Sequence, residues 1–411
     1  MREAAEKAGI PSDKLSISLE PEAASLFCRY LSVEKTVNKC DVSIAAFPAK
    51  TRYMILDAGG GTIDITVHEV EDSRKVKEVK AASGGGWGGI LVDKAFEHLV
   101  EDIVGKDIYK KFKENETEDW LDLWRDFEVK KRTVRPEKDA RIVMKFPLSL
   151  VKLIEKKHGQ AFEDYIDCSD YADILTVTGD KLKFQASVFK TLFDTSVNKT
   201  IQHIEHLLRD ETARMINVIL MVGGFSESPM LQKAVRSAFP GIKVVIPVDA
   251  TTSVMRGALI FGHSPKSITE RVLKNTYGLK ASLNFKEGVH PEERRTSSDI
   301  GDQCFGVFSK HVERNQIVKV GEAQSERKYR AAHAWQTELP FKLYASDLQN
   351  PKFVDEGCTY VGTMTVELTD HDGDLERWVW VSLTFSGTEI EVQARDEKSG
   401  KRTKATLNFL G

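Results

Sequence analysis

The segment with the clearest chemistry is a glycine-rich hairpin, Asp57-Ala58-Gly59-Gly60-Gly61-Thr62-Ile63-Asp64, which lies between two apolar runs. Three consecutive glycines let the backbone approach a ligand and turn its N–H groups toward it, because no Cβ intervenes. An acid at the end of a strand beside such a loop suits a metal–phosphate ligand. For these residues alone, a tight hairpin with no ligand is the simpler alternative.

The residues that leave the hairpin predict a strand. Ile63, Ile65 and Val67 alternate with polar residues, which indicates a half-buried strand rather than a helix. The arrangement is therefore strand–loop–strand, unlike the strand–loop–helix of a P-loop, and the sequence has no G-x-x-x-x-G-K-[ST].

Two more glycine turns follow predicted strands. One is Gly84-Gly85-Gly86-Trp87-Gly88-Gly89, and the other is Gly223-Gly224, directly after the apolar run 215–222. Ser228 and Pro229 then open a helix as N-cap and first residue. Open α/β folds bind nucleotides where a strand and a glycine turn meet a helix N-terminus. Three such turns predict a nucleotide cleft.

Composition sets broad limits. The chain has 411 residues, a formal net charge of −3, 41% hydrophobic and 29% charged residues, which is typical of a globular protein of about two domains. This charge argues against a basic nucleic-acid surface. Five scattered cysteines, with no C-x-x-C, indicate reduced intracellular thiols. With no signal peptide and no apolar run of spanning length, we expect no membrane partner and a cytoplasmic or nuclear location.

Periodicity divides the chain into an α/β region and a β-rich tail. The pattern of residues 1–9 predicts a helix from the first residue, with no preceding strand. We therefore expect that sequence is missing upstream. We predict a short strand over 15–19, a helix from Glu20, and one continuous helical stripe over 188–208. Trp120, Trp124 and Phe127 are predicted to face the core. After Pro265 helical periodicity fades into strands, the last with Ala405, Leu407 and Phe409 on one face, so the predicted domains are 1–265 and 266–411.

Two enzyme classes fit poorly. Gly84-x-Gly86-x-x-Gly89 formally satisfies the dinucleotide fingerprint of an oxidoreductase, but the preceding segment is a poor buried strand and no ribose-binding acid follows. A metal hydrolase is disfavoured because there is no H-E-x-x-H and no His/Asp cluster.

Together, the motifs resemble the 70-kilodalton heat-shock chaperones. Glu20-Pro21-Glu22-Ala23-Ala24 is similar to that family's N-E-P-T-A-A-A, and Asp57 to Asp64 to its D-L-G-G-G-T-F-D hairpin. Gly88-Gly89 is similar to its second-lobe glycine pair. Glu128, Lys131 and Arg132 resemble its E-R-A-K-R-T helix, and the segment 222–229 resembles its V-G-G-S-T-R-I-P turn.

Finer features resemble the divergent branch of heat shock 70 kDa proteins 12A and 12B. They are L-E-P-E-A-A-S, G-G-W-G-G, F-E-x-K-K-R-T-V and a short β tail. The resemblance implies an α/β, actin-like ATPase (ribonuclease-H-like) domain, incomplete at its N-terminus, followed by a small antiparallel β domain. The family's first phosphate hairpin and catalytic lysine are expected upstream of residue 1.

The resemblance also implies roles for single residues. Asp57 would hold the Mg²⁺ shell through water or orient the attacking water, and Glu20 would lie in the second metal shell. The other implied contacts are to ATP. The β- and γ-phosphates would be held by Gly60, Gly61 and Thr62, and Gly59, Gly88 and Gly89 would also belong to the nucleotide-binding site. Ribose and adenine would be contacted by Glu128, Lys131 and Arg132, and the other side of the adenosine would be lined by Gly223, Gly224, Phe225 and Ser226.

Departures from the family pattern limit the expected activity. Glu227 stands where the family has an arginine that stacks on adenine, Phe225 replaces a serine, and Arg135 replaces another. We therefore expect an ATP-binding, chaperone-like protein with weak or absent hydrolysis, whose partners are nucleotide and client or signalling proteins. A non-catalytic pseudo-ATPase scaffold is the alternative.

Overall fold

The computed structural model describes residues 2–11, 14–29, 47–72, 75–213, 215–368, 375–386 and 388–408. The helices are α1 (Arg2–Lys7), α2 (Glu20–Cys28), α3 (Ile90–Val104), α4 (Lys106–Asn115), α5 (Thr117–Lys131), α6 (Leu148–His158), α7 (Phe162–Asp167), α8 (Ala186–Thr191), α9 (Asp194–Leu208), α10 (Pro229–Ala238) and α11 (Ser253–His263).

The strands divide between the two parts of the chain. Those of the α/β region are β1 (Arg52–Ala58), β2 (Ile63–Val70), β3 (Val76–Gly85), β4 (Ile142–Lys145), β5 (Leu175–Thr178), β6 (Lys181–Phe184), β7 (Val218–Val222) and β8 (Lys243–Val245). Those of the tail are β9 (Glu270–Val272), β10 (Thr276–Asn284), β11 (Arg295–Ser298), β12 (Gly301–Val312), β13 (Ile317–Lys319), β14 (Ala323–Arg330), β15 (Glu338–Ser346), β16 (Cys358–Glu367), β17 (Trp378–Ser386), β18 (Glu389–Asp396) and β19 (Arg402–Asn408).

A five-stranded mixed sheet carries the glycine turns. Its order is β3-β2-β1-β7-β8. Strand β2 pairs antiparallel with both β1 and β3, whereas β7 pairs parallel with both β1 and β8. An antiparallel meander continued by parallel strands is the ribonuclease-H-like topology of actin-like ATPases, so the predicted fold class is confirmed. Because β1 and β7 are neighbouring parallel strands, their carboxyl ends meet at one edge of the sheet, at Asp57 and Val222.

Both faces of this sheet are covered, which explains the apolar runs in β1 and β7. Met54 and Leu56 face a core that includes Phe96 of α3. Tyr53 and Ile55 face the other way, toward Ala24 and Cys28 of α2. Helix α2 in turn packs closely on α11, where a Cβ at Gly257 would collide with the Ala23 backbone.

The predicted inward orientation of the aromatic stripe on α5 is confirmed. Phe127 is fully buried and stacks on Phe96 with ring centroids 3.9 Å apart. Trp124 meets both rings edge-on, and Trp120 packs half-buried against the same core. A three-stranded sheet of order β4-β6-β5 lies in this region; the sequence patterns did not predict it.

The tail forms two antiparallel sheets around one apolar core. Their orders are β11-β12-β10-β15-β16 and β14-β17-β18-β19. Strand β9 joins the tail to the α/β region, because it pairs with β13 while its neighbour Ile268 bridges to Val76 at the start of β3.

Two secondary-structure predictions are wrong. Residues 15–19 form no strand, because no strand pairs with them in the described part of the chain. The stripe over 188–208 is broken at Leu192 and Phe193 into α8 and α9, and both residues turn into the core. Cys40 and Phe409 lie outside the described residues.

Candidate functional site

Asp57 lies at the end of β1, at the centre of the sheet edge. It pairs with Asp64 across the β1–β2 hairpin and with Val222 on the parallel strand β7. Its side chain is only 5% exposed, and its Oδ2 atom has no hydrogen-bond partner among the described residues. An unsatisfied buried carboxyl oxygen costs free energy, so the position favours a ligand that can satisfy it.

The electrostatics of Asp57 follow from its surroundings. Burial, and to a smaller extent the negative charges of Glu20 and Asp64, together raise the pKa of its carboxyl from 3.8 to about 7. Glu20 is exposed at the first turn of α2, directly before Pro21. Three acids and an uncompensated oxygen indicate a place where a cation stabilises the carboxylate form.

The first two glycine turns are hydrogen-bonded to each other. The N–H groups of Gly88, Gly89 and Ile90 donate to the carbonyls of Gly61, Gly59 and Gly60, at 3.2, 3.2 and 2.8 Å. A Cβ on Gly88 would lie 2.5 Å from the Gly59 carbonyl oxygen, so only glycine permits this approach. The carbonyls of the hairpin are thereby occupied, whereas the N–H groups of Gly60 and Gly61 donate to no acceptor among the described residues and remain exposed.

The third turn closes on Asp57 from the side of β7. Gly223 has φ +84°, and a Cβ there would lie 2.5 Å from Asp57 Oδ1 and 2.6 Å from the Ala58 carbonyl oxygen. Gly224 is exposed with nothing near its Cβ position. Phe225 follows, and its ring lies 3.4 Å from the Cβ position of Gly89. The structure therefore brings the three predicted turns together.

The polar residues of the third turn contact other parts of the protein. Ser226 is fully buried, and its hydroxyl donates to the Val222 carbonyl at 2.5 Å. Its side chain thus stabilises the turn, and its assignment to adenosine stays a prediction. The Glu227 carboxylate accepts a hydrogen bond from the Thr251 hydroxyl.

The predicted adenosine residues lie at the end of α5, close to the second glycine turn. Lys131 Nζ is 2.6 Å from Asp93 in the first turn of α3 and 2.8 Å from Glu128. With its side chain only 12% exposed, Lys131 ties the end of α5 to the helix that follows the turn. Arg132, whose side chain is 80% exposed, has its guanidinium 4.0 Å from Glu128 and is the accessible cation of the three residues.

Two features escaped sequence reasoning. The first is Trp87, whose ring meets His203 of α9 with centroids 5.1 Å apart, while His203 Nε2 contacts Ser83 Oγ at 2.9 Å. Ser196, also on α9, donates to the Trp87 carbonyl. The G-G-W-G-G stretch was the available signal, and it gave no indication of the partner helix.

The second is a buried charge network behind the sheet. Glu22 of α2 and Arg271 of β9 form a two-pronged ion pair, and Glu78 of β3 accepts the Val272 N–H at 2.9 Å. Burial, and to a smaller extent the negative charge of Glu22, together raise the pKa of Glu78 to about 7. No local pattern points to residues this far apart in sequence.

The part of the chain that the structure describes contains no group of three His, Cys, Asp or Glu side chains placed to hold a metal ion together. A cation beside Asp57 would consequently need water or ligand oxygens in addition to protein atoms. The Asp57 oxygen without a partner and the exposed N–H groups of the hairpin fit a hydrated Mg²⁺ with phosphate. Across the described residues, no helix is long and apolar enough to cross a bilayer.

A ribonuclease-H-like sheet with three glycine turns at one edge is the architecture of an actin-like ATPase domain. A family model described as "Hsp70 protein" matches residues 164–338. Heat shock 70 kDa protein 12B of Homo sapiens is 31% identical over 467 residues, which cover 100% of this chain and 68% of that protein. Heat shock 70 kDa protein 12A of Mus musculus is 29% identical with the same shares. Chaperone protein DnaK 3 of Synechococcus sp. is 24% identical over 67% of this chain and 40% of its own length.

The chain therefore belongs to the Hsp70 superfamily, in the divergent branch that includes heat shock 70 kDa proteins 12A and 12B. The resemblance drawn from the motifs is confirmed.

Proposed function

We propose that this chain binds ATP with Mg²⁺ and acts as a chaperone-like protein whose ATP hydrolysis is weak or absent. The observation that carries the proposal is the buried Asp57 carboxyl at the point where three glycine turns meet. The free N–H groups of Gly60 and Gly61 add donors for phosphate oxygens. Membership of the Hsp70 superfamily supports the nucleotide class.

Each group at the edge has a physical role in this proposal. Asp57 would accept hydrogen bonds from water molecules around the metal, with Glu20 adding negative charge farther out. Thr62 and the hairpin N–H groups would hold phosphate oxygens, and exposed Arg132 would contact the adenosine. Bound Mg²⁺ would supply neutralisation of the phosphate charge.

Weak turnover is proposed because of the state of Asp57. A pKa of about 7 leaves roughly half of the carboxyl protonated at neutral pH. A protonated acid cannot accept a proton from an attacking water. Metal binding would favour the carboxylate form. We therefore propose that Asp57 contributes to binding of the hydrated metal and acts only weakly as the base for an attacking water.

A non-catalytic scaffold is the second candidate, favoured by a separate observation. Lys131 is held by Asp93 and Glu128, and Glu227 is held by Thr251. These side chains already have protein partners where an adenosine contact is proposed. A protein that keeps the fold without the ligand would show the same contacts.

Isothermal titration of ATP-Mg into the whole chain separates the two candidates, with Asp57→Asn as the matched variant. Micromolar binding that Asp57→Asn weakens supports the nucleotide-binding protein and excludes the empty scaffold. No heat at millimolar ATP-Mg excludes the nucleotide-binding proposal. Phosphate release measured on the same sample reports turnover independently.

A further inference from the structure

A cavity of about 600 Å³ lies where the end of α9 and strand β3 meet the first turns of the β tail. The α/β region lines it with residues 80–83 of β3 and with the C-terminal part of α9. The tail lines it with Lys274, between β9 and β10, and with Arg314 and Asn315, between β12 and β13. The described residues that line it include no glycine of the three turns, so we call it the seam cavity and treat it apart from the nucleotide edge.

The two tail turns of the seam cavity are fixed to the rest of the tail. The N–H of Asn315 donates to the Leu273 carbonyl at 2.8 Å, which ties one turn to the other. The Arg314 guanidinium donates to the Asp347 carbonyl at 3.0 Å. Lys274 follows Leu273 directly, so these contacts hold Lys274 and Arg314 on the same wall of the cavity.

The opposite wall contains a β-bulge at the edge of a sheet. Where β2 has Thr66, β3 has two residues, Ala81 and Ala82, between its paired positions. Strand β3 ends its sheet, and none of the described strands pairs with it at these two residues from the other side. Bulges at sheet edges redirect the neighbouring side chains, and an edge strand has unpaired backbone N–H groups. The two small side chains leave room for a ligand at this wall.

Positive charge dominates the seam cavity. Among the described residues that line it, Asp210 is the single acid, whereas the Lys and Arg side chains are Lys80, Arg209, Lys274 and Arg314. Asp210 is paired with Lys80, so these two charges compensate each other. The other three cations form no ion pair with any described residue, and a cleft with an excess of one sign of charge attracts ligands of the opposite sign.

The end of α9 only partly offsets this charge. A helix C-terminus carries a partial negative charge of roughly half an elementary charge. Arg209 follows the last residue of α9 and by itself exceeds that charge. Two further cations therefore remain in excess, Lys274 and Arg314.

The groups on the walls indicate which anion fits. A guanidinium binds phosphate oxygens through parallel N–H donors, and an ammonium adds a compact positive charge. No Phe, Tyr or Trp is among the described lining residues, and the rings present are the imidazoles of His203 and His206. His203 is already in contact with Trp87 and Ser83. A nucleobase, which binds by stacking on a free aromatic face, is therefore disfavoured.

We infer that the seam cavity binds a compact anion with two or more phosphate groups and no base. Arg209 holds it from the α/β region, and Lys274 and Arg314 hold it from the tail, so the bound anion bridges the two regions. The phosphate groups belong either to a free small molecule or to the headgroup of a phosphorylated lipid. This site goes beyond the proposed function and shares no residue with the proposed nucleotide site.

The test is isothermal titration of inositol trisphosphate into the whole chain, with inositol monophosphate as the matched ligand. The protein variant is Arg209→Gln/Lys274→Gln/Arg314→Gln. Its control is Lys110→Gln/Arg125→Gln/Lys401→Gln, which removes the same charge from exposed side chains that do not line the cavity. Lys274→Glu is a second variant, because it reverses one exposed charge and keeps the Arg314 contact with the tail.

The expected result is binding of inositol trisphosphate that the triple variant weakens by about tenfold or more and the control changes by less than about twofold. Lys274→Glu should also weaken it, and inositol monophosphate should bind at least about tenfold less tightly. Sedimentation with vesicles that contain a phosphorylated inositol lipid assigns the source. Binding confined to these vesicles, with the same loss in the triple variant, makes the lipid headgroup the ligand, whereas binding of the free compound makes it a small molecule.

Three outcomes overturn the inference. The first is no heat with millimolar inositol trisphosphate and no binding to the vesicles. The second is an equal loss in the triple variant and its control, which would show attraction by net charge alone. The third is a loss in Arg132→Gln as large as in the triple variant, which would assign the probe to the proposed nucleotide site. ATP-Mg titration of the triple variant tests the nucleotide proposal separately.

Discussion

Glu22 and Arg271 lie 249 positions apart and form two hydrogen bonds of 2.6 Å between side chains that are each 2% exposed. The pair fastens β9, the strand at the start of the tail, to the helix that begins at Glu20. Two acidic residues only two positions apart in α2 thus have different roles. Glu20 raises the pKa of Asp57, and Glu22 holds β9 at the start of the β tail.

Glu22→Gln is expected to lower the free energy of unfolding by about 3–5 kcal/mol, because it leaves the buried Arg271 guanidinium without its counter-charge. Glu22→Leu/Arg271→Met removes both charges and should cost less than the single change. Urea unfolding of the three proteins measures the difference. Unfolding midpoints that stay unchanged in Glu22→Gln would show that the pair does not hold the two regions together.

The affinity for ATP-Mg is expected to fall as the pH drops below about 7. In the folded protein the pKa of Asp57 is raised to about 7, so the fold without ligand prefers the protonated carboxyl. This preference stabilises the folded protein fully below about pH 4, and the stabilisation is lost as the pH rises through 7. A cation reverses this preference, so binding should release a proton near neutral pH. Calorimetry in buffers of different ionisation enthalpy measures that proton.

Asp57→Asn should abolish this proton release. Glu78→Gln is the matched control, because burial also raises the pKa of Glu78 to about 7 but Glu78 is hydrogen-bonded to Thr66 and Val272, behind the sheet. If proton release disappears in Glu78→Gln and persists in Asp57→Asn, the carboxyl that titrates on ATP-Mg binding is Glu78, and the prediction for Asp57 is wrong.

Gly223→Ala should abolish ATP-Mg binding and destabilise the protein by about 1–3 kcal/mol. The new Cβ would lie 2.5 Å from Asp57 Oδ1 at a φ of +84°. Gly241→Ala is the control, since Gly241 lies outside the proposed site and nothing lies within 4 Å of its Cβ position. Thermal unfolding and calorimetry of both variants test the expectation, which fails if the two substitutions behave alike.

Lys131→Gln and Arg132→Gln should separate structure from ligand contact. Lys131 is nearly buried between two carboxylates, so its replacement is expected to lower stability by about 1–2 kcal/mol. Arg132 is mostly exposed, so Arg132→Gln should change stability by less than about 0.5 kcal/mol while weakening ATP-Mg binding. Denaturant unfolding and nucleotide titration are measured on each. A stable Arg132→Gln variant with unchanged affinity would remove this residue from the proposed site.

The glycine turns could be predicted because turn chemistry is local. The segment Asp57 to Asp64 predicts a hairpin by itself, because its three glycines lie between two strand-forming runs. After Gly223, an N-cap serine and a proline predict the start of a helix. Their convergence was expected from the recurrence of a glycine turn after a strand and from the family resemblance, and it arises because β1 and β7 are parallel and end at the same edge. The structure agrees at each of these points.

Where the prediction failed, the deciding contacts were distant. Residues 15–19 have strand-like alternation, but a strand needs a neighbour, and none of the described strands pairs with them. The break at Phe193 depends on a stacked contact with Phe225, which lies outside any local window. The pairing of β10 with β15 stops after Leu279 and Leu343, and residue type alone does not specify that point.

The contact between Trp87 and His203 gives the protein an optical reporter of its own cleft. Trp87 directly precedes Gly88 and Gly89, whose N–H groups donate to the hairpin carbonyls, so a rearrangement of this turn should alter the emission of its ring. Imidazolium quenches indole, whereas neutral imidazole does so far less. Burial, and then His206, lower the pKa of His203, so the emission should stay bright at neutral pH and dim on acidification. A fluorimeter can therefore follow ligand entry without any attached dye.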